Sequence, residues 1–323
     1  MYRPSRQARG RTTWSPRPPR RPPSRLPAIF LVLLLVGTAV AAGAVVTNAF
    51  GIGDHYAHLV TRIQLALDPP PDRSIPPVVE VTDPPIADIG TPDPNATPGP
   101  TPAPGASPTP APTPLPARKP VDVSLNLKPN KVFQKEITDV WCAVAGTQIV
   151  LAIDGLADNS ESFQRTLAGR IGEFESRQDS HNGGWGPSAI AAALDAYGVP
   201  GYQVRAYQSR KSALRNAAIA FSTYNAPVVM MAWRGAHTWI ITGYRADADP
   251  TIFPDANVTG LYIYDPWFGW ISQIWEPSLP PGSFHDLTNL QDNFLAWNRP
   301  EGSYPGRDGN WILVVPTQPR PNA

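Results

Sequence analysis

Hydrophobic positions in the second half of the chain repeat with two periods, one typical of helices and one of strands. Residues 143–153 are rich in helix formers and end before Gly155, which predicts a buried helix with Cys142 in its first turn and Asp139 or Thr138 as N-cap. Further helices are predicted over residues 160–176, 187–197 and 209–223. Short apolar or alternating runs predict strands over residues 132–134, 203–207, 227–233, 237–244, 260–265 and 311–315.

The order of these elements predicts the fold class. Helices dominate the first half of the domain and strands the second half, which indicates an α+β domain with an antiparallel sheet. In such a layout, we expect a cysteine on a helix of the first half to face residues on strands of the second half across a cleft.

The first part of the chain has a different pattern. Residues 1–26 contain eight Arg and no acidic residue, and we expect them to be a disordered cytoplasmic tail. Residues 27–50 include 19 consecutive uncharged residues and predict a transmembrane helix or signal anchor with the N-terminus in the cytoplasm. A cleaved signal peptide is the alternative, since Ala42-Gly43-Ala44 fits the small-residue cleavage pattern. In both cases the chain beyond this segment is extracytoplasmic.

Three more segments complete the organisation. Residues 51–68 predict a short juxtamembrane helix, and residues 69–120, with 19 Pro in 52 positions, predict a semi-rigid stalk that extends from the membrane and is long enough to pass through a cell wall. Residues 121–317 have the composition of a globular domain, and residues 318–323 are a tail. The whole chain has a formal net charge of +1, so the part after the basic tail carries −7, which argues against a nucleic-acid partner.

Cys142 is the only cysteine in 323 residues. A thiol in the first turn of a helix feels the positive end of the helix dipole, which lowers its pKa and favours the nucleophilic thiolate. The alternative is that a lone cysteine is a small buried hydrophobic residue.

Two later residues are candidate partners of this thiol. His237 opens an apolar strand after Gly235-Ala236, and Asp265 ends another apolar run. A carboxylate there can orient an imidazole on a neighbouring strand. Each also has a structural interpretation, as a hydrogen-bonded core histidine and as the first residue of an Asp-Pro turn. A helix-start Cys, a strand-start His and a strand-end Asp together favour nucleophilic catalysis.

These motifs resemble those of the papain-like cysteine peptidases, in the bacterial branch related to double-glycine (bacteriocin) leader peptidases. The resemblance covers residues 132–316 through four short motifs: Gln134 before the cysteine, Asn182-Gly183-Gly184, His237 leading into Gly243-Tyr244, and Asp265 with Trp267. The chain departs from the branch at Ala143, where Gly is usual, and in a polar insertion over residues 245–259.

The resemblance implies a fold and a set of roles. The fold would be papain-like, with the nucleophile helix in a helical half packed against an antiparallel β-sheet half. Cys142, His237 and Asp265 would form the triad, and Gln134 would donate to the oxyanion. Asn182, Gly183 and Gly184 would pair with an extended peptide, with tryptophans as apolar walls or as core residues: Trp141, Trp185 and Trp267.

The sequence therefore predicts a membrane-anchored, extracytoplasmic thiol peptidase that acts on a peptide or protein and needs no cofactor or metal. Two alternatives stay open. The domain is an inactive papain-like module that binds peptide or wall polymer on its stalk, or it is a transglutaminase-like acyltransferase, because that family shares the Cys, His, Asp order.

Overall fold

The structure is a computed structural model that describes residues 26–47, 56, 59–60, 63, 67–82, 116–181, 184–269 and 277–322, with the backbone alone at 26–30, 32 and 33. It divides into two compact units, Met1–Gly53 and Asp54–Ala323. In the first unit, helix α1 covers Leu26–Val46 and overlaps the stretch for which the sequence predicts a membrane anchor. Across the described residues, no helix combines the length and apolar character needed to cross a bilayer.

The second unit is an α+β domain built on one mixed, mostly antiparallel sheet of eight strands. The strands, in chain order, are β1 Val79–Val81, β2 Val121–Ser124, β3 Tyr202–Tyr207, β4 Val228–Ala232, β5 His237–Ala246, β6 Val258–Tyr264, β7 Ser283–Asp286 and β8 Trp311–Pro316. Their spatial order is β1-β3-β8-β4-β5-β6-β7, and β2 pairs with the end of β5.

Seven helices belong to this unit in the described part of the chain. They are α2 Pro129–Val132, α3 Cys142–Ile153, α4 Glu161–Ala168, α5 Ile171–Phe174, α6 Pro187–Ala196, α7 Arg210–Tyr224 and α8 Leu287–Asn293. The predicted α+β class and the predicted antiparallel character of most of the sheet are confirmed.

Both faces of the central strand β4 are covered, and all five of its residues are apolar and buried. Val229 and Met231 of β4 join one hydrophobic cluster, which includes buried residues of α3, α4 and α6. Val228 and Met230 of the same strand join a second cluster with buried residues of α7. Because side chains alternate along a strand, the two cores are separated by the sheet.

Helix α3 lies unusually close to β5, and a glycine makes this possible. A Cβ added at Gly146 would approach Thr238 Cγ2 to 2.8 Å and Ile240 Cδ1 to 3.2 Å. Gly146 lies one helical turn after Cys142, so the close approach brings the start of α3 to the start of β5. This contact positions the thiol.

The predicted stalk differs from the structure at its beginning. Residues 69–82 pack along the domain, where β1 adds a parallel strand to β3. The Arg177 amide donates to the Pro71 carbonyl at 2.9 Å, and the Gln178 side chain donates to Asp72 at 2.9 Å. Residues 83–115 lie outside the described residues.

Three local predictions also need correction. Residues 129–132 form helix α2 in place of a strand at 132–134, because Pro129 at the first helical position favours a helical turn. The helix predicted over 160–176 is two short helices, α4 and α5, separated at Gly169 and Arg170. The N-cap of α3 is Trp141, without a side-chain cap, in place of Asp139 or Thr138.

Candidate active site

Cys142 is the first residue of α3. Its N-cap residue, Trp141, gives no side-chain hydrogen bond to the helix start. The first-turn amides of a helix have no acceptor within the helix, so the Cys142 N–H is a potential donor to a ligand. The thiol is partly buried, and its Sγ lies 3.9 Å from the Ala236 carbonyl oxygen, next to the start of β5.

His237 begins β5 after a turn with left-handed backbone. Trp233, Arg234 and Gly235 have φ values of 50°, 61° and 86°. Such angles are unfavourable for residues with a Cβ and occur where the surrounding structure compensates for them. A glycine at position 235 is favoured by its positive φ and also by packing, because a Cβ there would come within 2.3 Å of the Trp297 ring. The turn thus places His237 at the first position of β5.

Two tryptophans enclose the His237 ring. The Trp233 ring stacks on it, with centroids 4.2 Å apart and an interplanar angle of 19°. Trp267 meets it edge-on with centroids 6.5 Å apart. Asn293 of α8 accepts a hydrogen bond from Trp233 Nε1 at 2.7 Å and fixes the stacking ring. The imidazole is only 3 % exposed as a result.

Asp265 follows β6 directly and accepts three hydrogen bonds. His237 Nε2 donates to Asp265 Oδ1 at 2.7 Å, and the Trp267 amide donates to the same oxygen at 2.9 Å. Ser278 Oγ donates to Oδ2 at 2.6 Å. Since Asp265 occupies Nε2, the imidazole turns its other nitrogen, Nδ1, away from the carboxylate.

The electrostatics of Cys142 and His237 are complementary. Burial of the thiol opposes its ionisation, but the influence of His237, followed by that of Thr238, outweighs it and lowers the pKa of Cys142. Burial likewise opposes the charging of His237, but Asp265 and then Cys142 raise the pKa of His237 well above its ordinary value. Both directions favour a thiolate–imidazolium pair.

The charge of Asp265 is stabilised in the same way. Burial acts to raise the pKa of Asp265, but the charge and hydrogen bond of His237, followed by the hydrogen bonds from Ser278 and the Trp267 amide, lower it below its ordinary value. Asp265 therefore remains ionised and supports the positive imidazole.

A second acidic residue, Glu136, lies in the loop between α2 and α3. Its side chain is 0 % exposed, and neither carboxyl oxygen has a hydrogen-bond partner among the residues that the structure describes. Burial, followed by the negative charge of Cys142, raises the pKa of Glu136 well above its ordinary value. Burial thus favours the protonated form of Glu136, and the charge of Cys142 acts in the same direction.

The other residues with predicted roles lie in different surroundings. Gln134 is half-buried, and its Nε2 donates to the Lys135 carbonyl at 3.1 Å. Trp141 is half-buried beside Cys142, and the amide of Gly184 donates to Glu175 at 3.3 Å. Trp185 is buried against Phe174 in the core, with ring centroids 5.5 Å apart. Asn182 and Gly183 lie outside the described residues.

The structure thus brings together Cys142, His237, Asp265 and Trp267. It adds residues for which the sequence gives no role: Glu136, Trp233, Thr238 and Ser278. The only sequence signal for Glu136 is its position six residues before Cys142, in the loop that leads into α3. Within the described ranges, no group of three or more His, Cys, Asp or Glu side chains is arranged to hold a metal ion.

Comparison with protein-family models, with curated proteins and with solved structures finds no match to this chain. The functional argument therefore depends on the geometry and electrostatics of the site.

Proposed function

We propose that residues 121–317 form a papain-like cysteine peptidase domain that hydrolyses peptide bonds through a thioester on Cys142. The observation that carries the proposal is the 2.7 Å hydrogen bond between His237 Nε2 and Asp265 Oδ1, in a site where the same imidazole lowers the pKa of Cys142. A thiol at the start of a helix, a histidine at the start of a strand and an aspartate directly after a strand, in an α+β domain, fit a papain-like arrangement.

The chemistry depends on the protonation states. The Cys142 thiolate attacks the carbonyl carbon of a peptide bond, and the C=O electron pair moves to the oxygen. The Cys142 amide at the start of α3 donates a hydrogen bond to this oxyanion. The His237 imidazolium then protonates the leaving amine, and the neutral imidazole activates the water that cleaves the thioester. Asp265 fixes the imidazole tautomer throughout.

The test uses the thiol itself, because the natural substrate is unidentified. Iodoacetamide at pH 6 should alkylate Cys142 rapidly, since an ordinary thiol with a pKa near 8.5 is almost entirely protonated there. Casein hydrolysis should accompany this reactivity and be lost in Cys142→Ala while the domain stays folded by circular dichroism. Hydrolysis by Cys142→Ala, or a thiol inert at pH 6, would overturn the proposal.

A second candidate reaction is acyl transfer to an amine. The observation that favours it is the enclosure of His237 and Asp265, at 3 % and 2 % exposure, by tryptophans that limit the access of water. Isopeptide products from a glutamine peptide in the presence of excess lysine would identify transfer, and free glutamate or cleaved peptide would identify hydrolysis.

For localisation we propose single-pass membrane attachment through residues 27–50, with the domain outside the cytoplasm. The 19 uncharged residues and the basic segment before them support this orientation. Protease added to intact cells should remove the domain, and sodium carbonate should leave it in the membrane fraction. A domain recovered in the soluble fraction of the medium would instead indicate a cleaved signal peptide.

A further inference from the structure

The indole of Trp233 lies face to face on the imidazole of His237. The two ring centroids are 4.2 Å apart, and the ring planes differ by only 19°. This separation is within the range of about 6 Å over which the face of an aromatic ring attracts a cation. Trp267, in contrast, stands nearly perpendicular to the same imidazole, at 85°. The geometry of Trp233 therefore suits a positively charged imidazole ring.

The backbone that carries Trp233 is strained. Its φ is 50° and that of Arg234 is 61°, although both residues have a Cβ. The surrounding structure holds this turn, since the Asn298 amide donates to the Arg234 carbonyl at 3.2 Å. Four residues of extended chain would span about 13 Å, so the left-handed turn is what returns the indole to the His237 ring. Backbone strain of this kind is concentrated at functional sites.

Helix α8 sets the orientation of the indole independently of the imidazole. Asn293 accepts a hydrogen bond from Trp233 Nε1 at 2.7 Å and donates from its own amide nitrogen to the Asn289 carbonyl at 2.9 Å. The end of α8 is held in turn by Arg210 of α7, which donates to the Phe294 carbonyl at 2.8 Å. The stacking surface is thus fixed before any ligand binds.

The charged groups around the imidazole come from other elements packed against it. They are Asp265 after β6, Cys142 of α3 and Glu136 of the loop before α3. Strand β4, which pairs with the start of β5, has no ionisable residue. The ionisable residues of the turn and of α8, Arg234 and Asp292, are exposed. Asp265 contacts the edge of the ring through Nε2, whereas Trp233 covers a face, so the two can stabilise the same positive charge.

We propose that Trp233 is a positioning residue that acts through His237: its stacked indole stabilises the charged imidazolium and holds the ring in place. This inference rests on the proposed thiol chemistry, in which the imidazolium protonates the leaving amine. The imidazole is charged both before and after the thiol loses its proton, so the indole has little effect on that ionisation. It instead extends towards alkaline pH the range in which the imidazolium persists.

The first test measures the charge of His237 without any activity. The full chain is prepared as Cys142→Ala with nitrogen-15-labelled histidine, and the His237 signal is identified by its loss in His237→Gln. In this background, Trp233→Leu should lower the pKa of His237 by about 1, because the variant keeps apolar bulk but has no aromatic face. Trp233→Phe, which keeps an aromatic face, should lower it by less.

Trp311 of β8 offers a matched control. It is half-buried like Trp233, and its Nε1 also donates to the end of α8, at 3.1 Å from the Phe294 carbonyl oxygen. Trp311→Leu should leave the pKa of His237 unchanged. Asn293→Leu, which releases the indole but keeps it, should give a shift between those of the control and Trp233→Leu.

The second test uses the protein with Cys142 intact. In Trp233→Leu the alkaline limb of the pH profile of casein hydrolysis should move down by about one pH unit, and the acidic limb should stay in place. A His237 pKa equal in Trp233→Leu and its parent would overturn the inference, as would an equal shift in Trp311→Leu. If Trp233→Leu fails to fold, an unchanged pKa in both Trp233→Phe and Asn293→Leu would overturn it.

The two proposals fail in different ways. A wild-type thiol inert to iodoacetamide at pH 6 would refute the proposed peptidase chemistry. A lowered pKa of His237 in Trp233→Leu would still support the effect of the indole on the imidazolium.

Discussion

Two buried acidic regions of the domain differ in how their carboxyl groups are satisfied. Asp179 accepts from the Ser188 amide at 3.1 Å and the Ala189 amide at 2.8 Å, at the start of α6. Buried Arg307 donates to its carboxylate and, at 2.9 Å, to its carbonyl. Glu136 is equally buried, but its carboxyl oxygens have no partner within the described part of the chain.

The difference determines what each buried acid contributes to the stability of the fold. The Asp179 region connects a helix start to a segment more than a hundred residues away, and every bond that it makes contributes to the folded state. The carboxyl oxygens of Glu136 make no such bond to the described residues, so its burial opposes folding. Loss of the Asp179 contacts should therefore reduce stability, whereas loss of the Glu136 carboxyl group should increase it.

The largest effect is expected at His237. Because His237 stabilises the thiolate, His237→Gln should lower the rate of Cys142 alkylation at pH 6 by about 10²- to 10⁴-fold. The glutamine amide can still donate to Asp265, so the domain should remain folded. The measurements are pseudo-first-order alkylation rates and circular dichroism, and an unchanged rate would contradict the assigned pairing.

The second effect concerns the Asp179 region. Arg307→Met leaves a buried carboxylate without its cation and should lower the free energy of unfolding by about 3–5 kcal/mol in urea denaturation. Alkylation of Cys142 in the remaining folded protein should be unchanged. Arg165→Met is the matched control, because Arg165 pairs with Glu161 on an exposed surface and should cost less than about 1 kcal/mol. Similar losses in the two variants would remove the distinction between the regions.

The third effect runs in the opposite direction, in the Glu136 region. Glu136→Met removes a buried group without a partner and should raise the free energy of unfolding by about 1–3 kcal/mol at neutral pH. Because the pKa of Glu136 is raised in the folded state, the wild type loses stability as pH rises from about 4.3, the carboxyl pKa of the unfolded chain, towards the folded value. The gap between variant and wild type should widen over that range, and urea titrations that show a constant gap would contradict it.

The smallest effect tests how α3 delivers the thiol. Gly146→Ala would bring a methyl group to 2.8 Å from Thr238 Cγ2, so the helix must shift, and we expect a loss of about 1–2 kcal/mol with a several-fold slower alkylation. Gly172→Ala in α5 is the control, since nothing lies within 4 Å of its added Cβ. This control should be neutral or slightly stabilising. Equal behaviour of the two variants would show that the close approach is not needed.

Local sequence patterns were sufficient to predict where several helices and strands of the domain begin. The start of α6 at Pro187, the N-cap of α7 at Ser209 and the start of β5 at His237 match the predicted positions because each depends on neighbouring residues. Strands β1 and β2 were missed because their partners, β3 and β5, lie more than a hundred residues away and nothing local reports the pairing. Glu136 was missed for a similar reason, because a buried glutamate in a loop belongs to no repeating pattern of hydrophobic positions.

The single thiol of this chain has a consequence for its redox chemistry. A thiolate that peroxide converts to a sulfenic acid is usually rescued by a second cysteine that forms a disulfide with it. Cys142 has no such resolving partner, so further oxidation to the irreversible sulfinic acid competes only with capture by an external small thiol. The proposed peptidase activity should be lost permanently under peroxide alone and kept when glutathione is present.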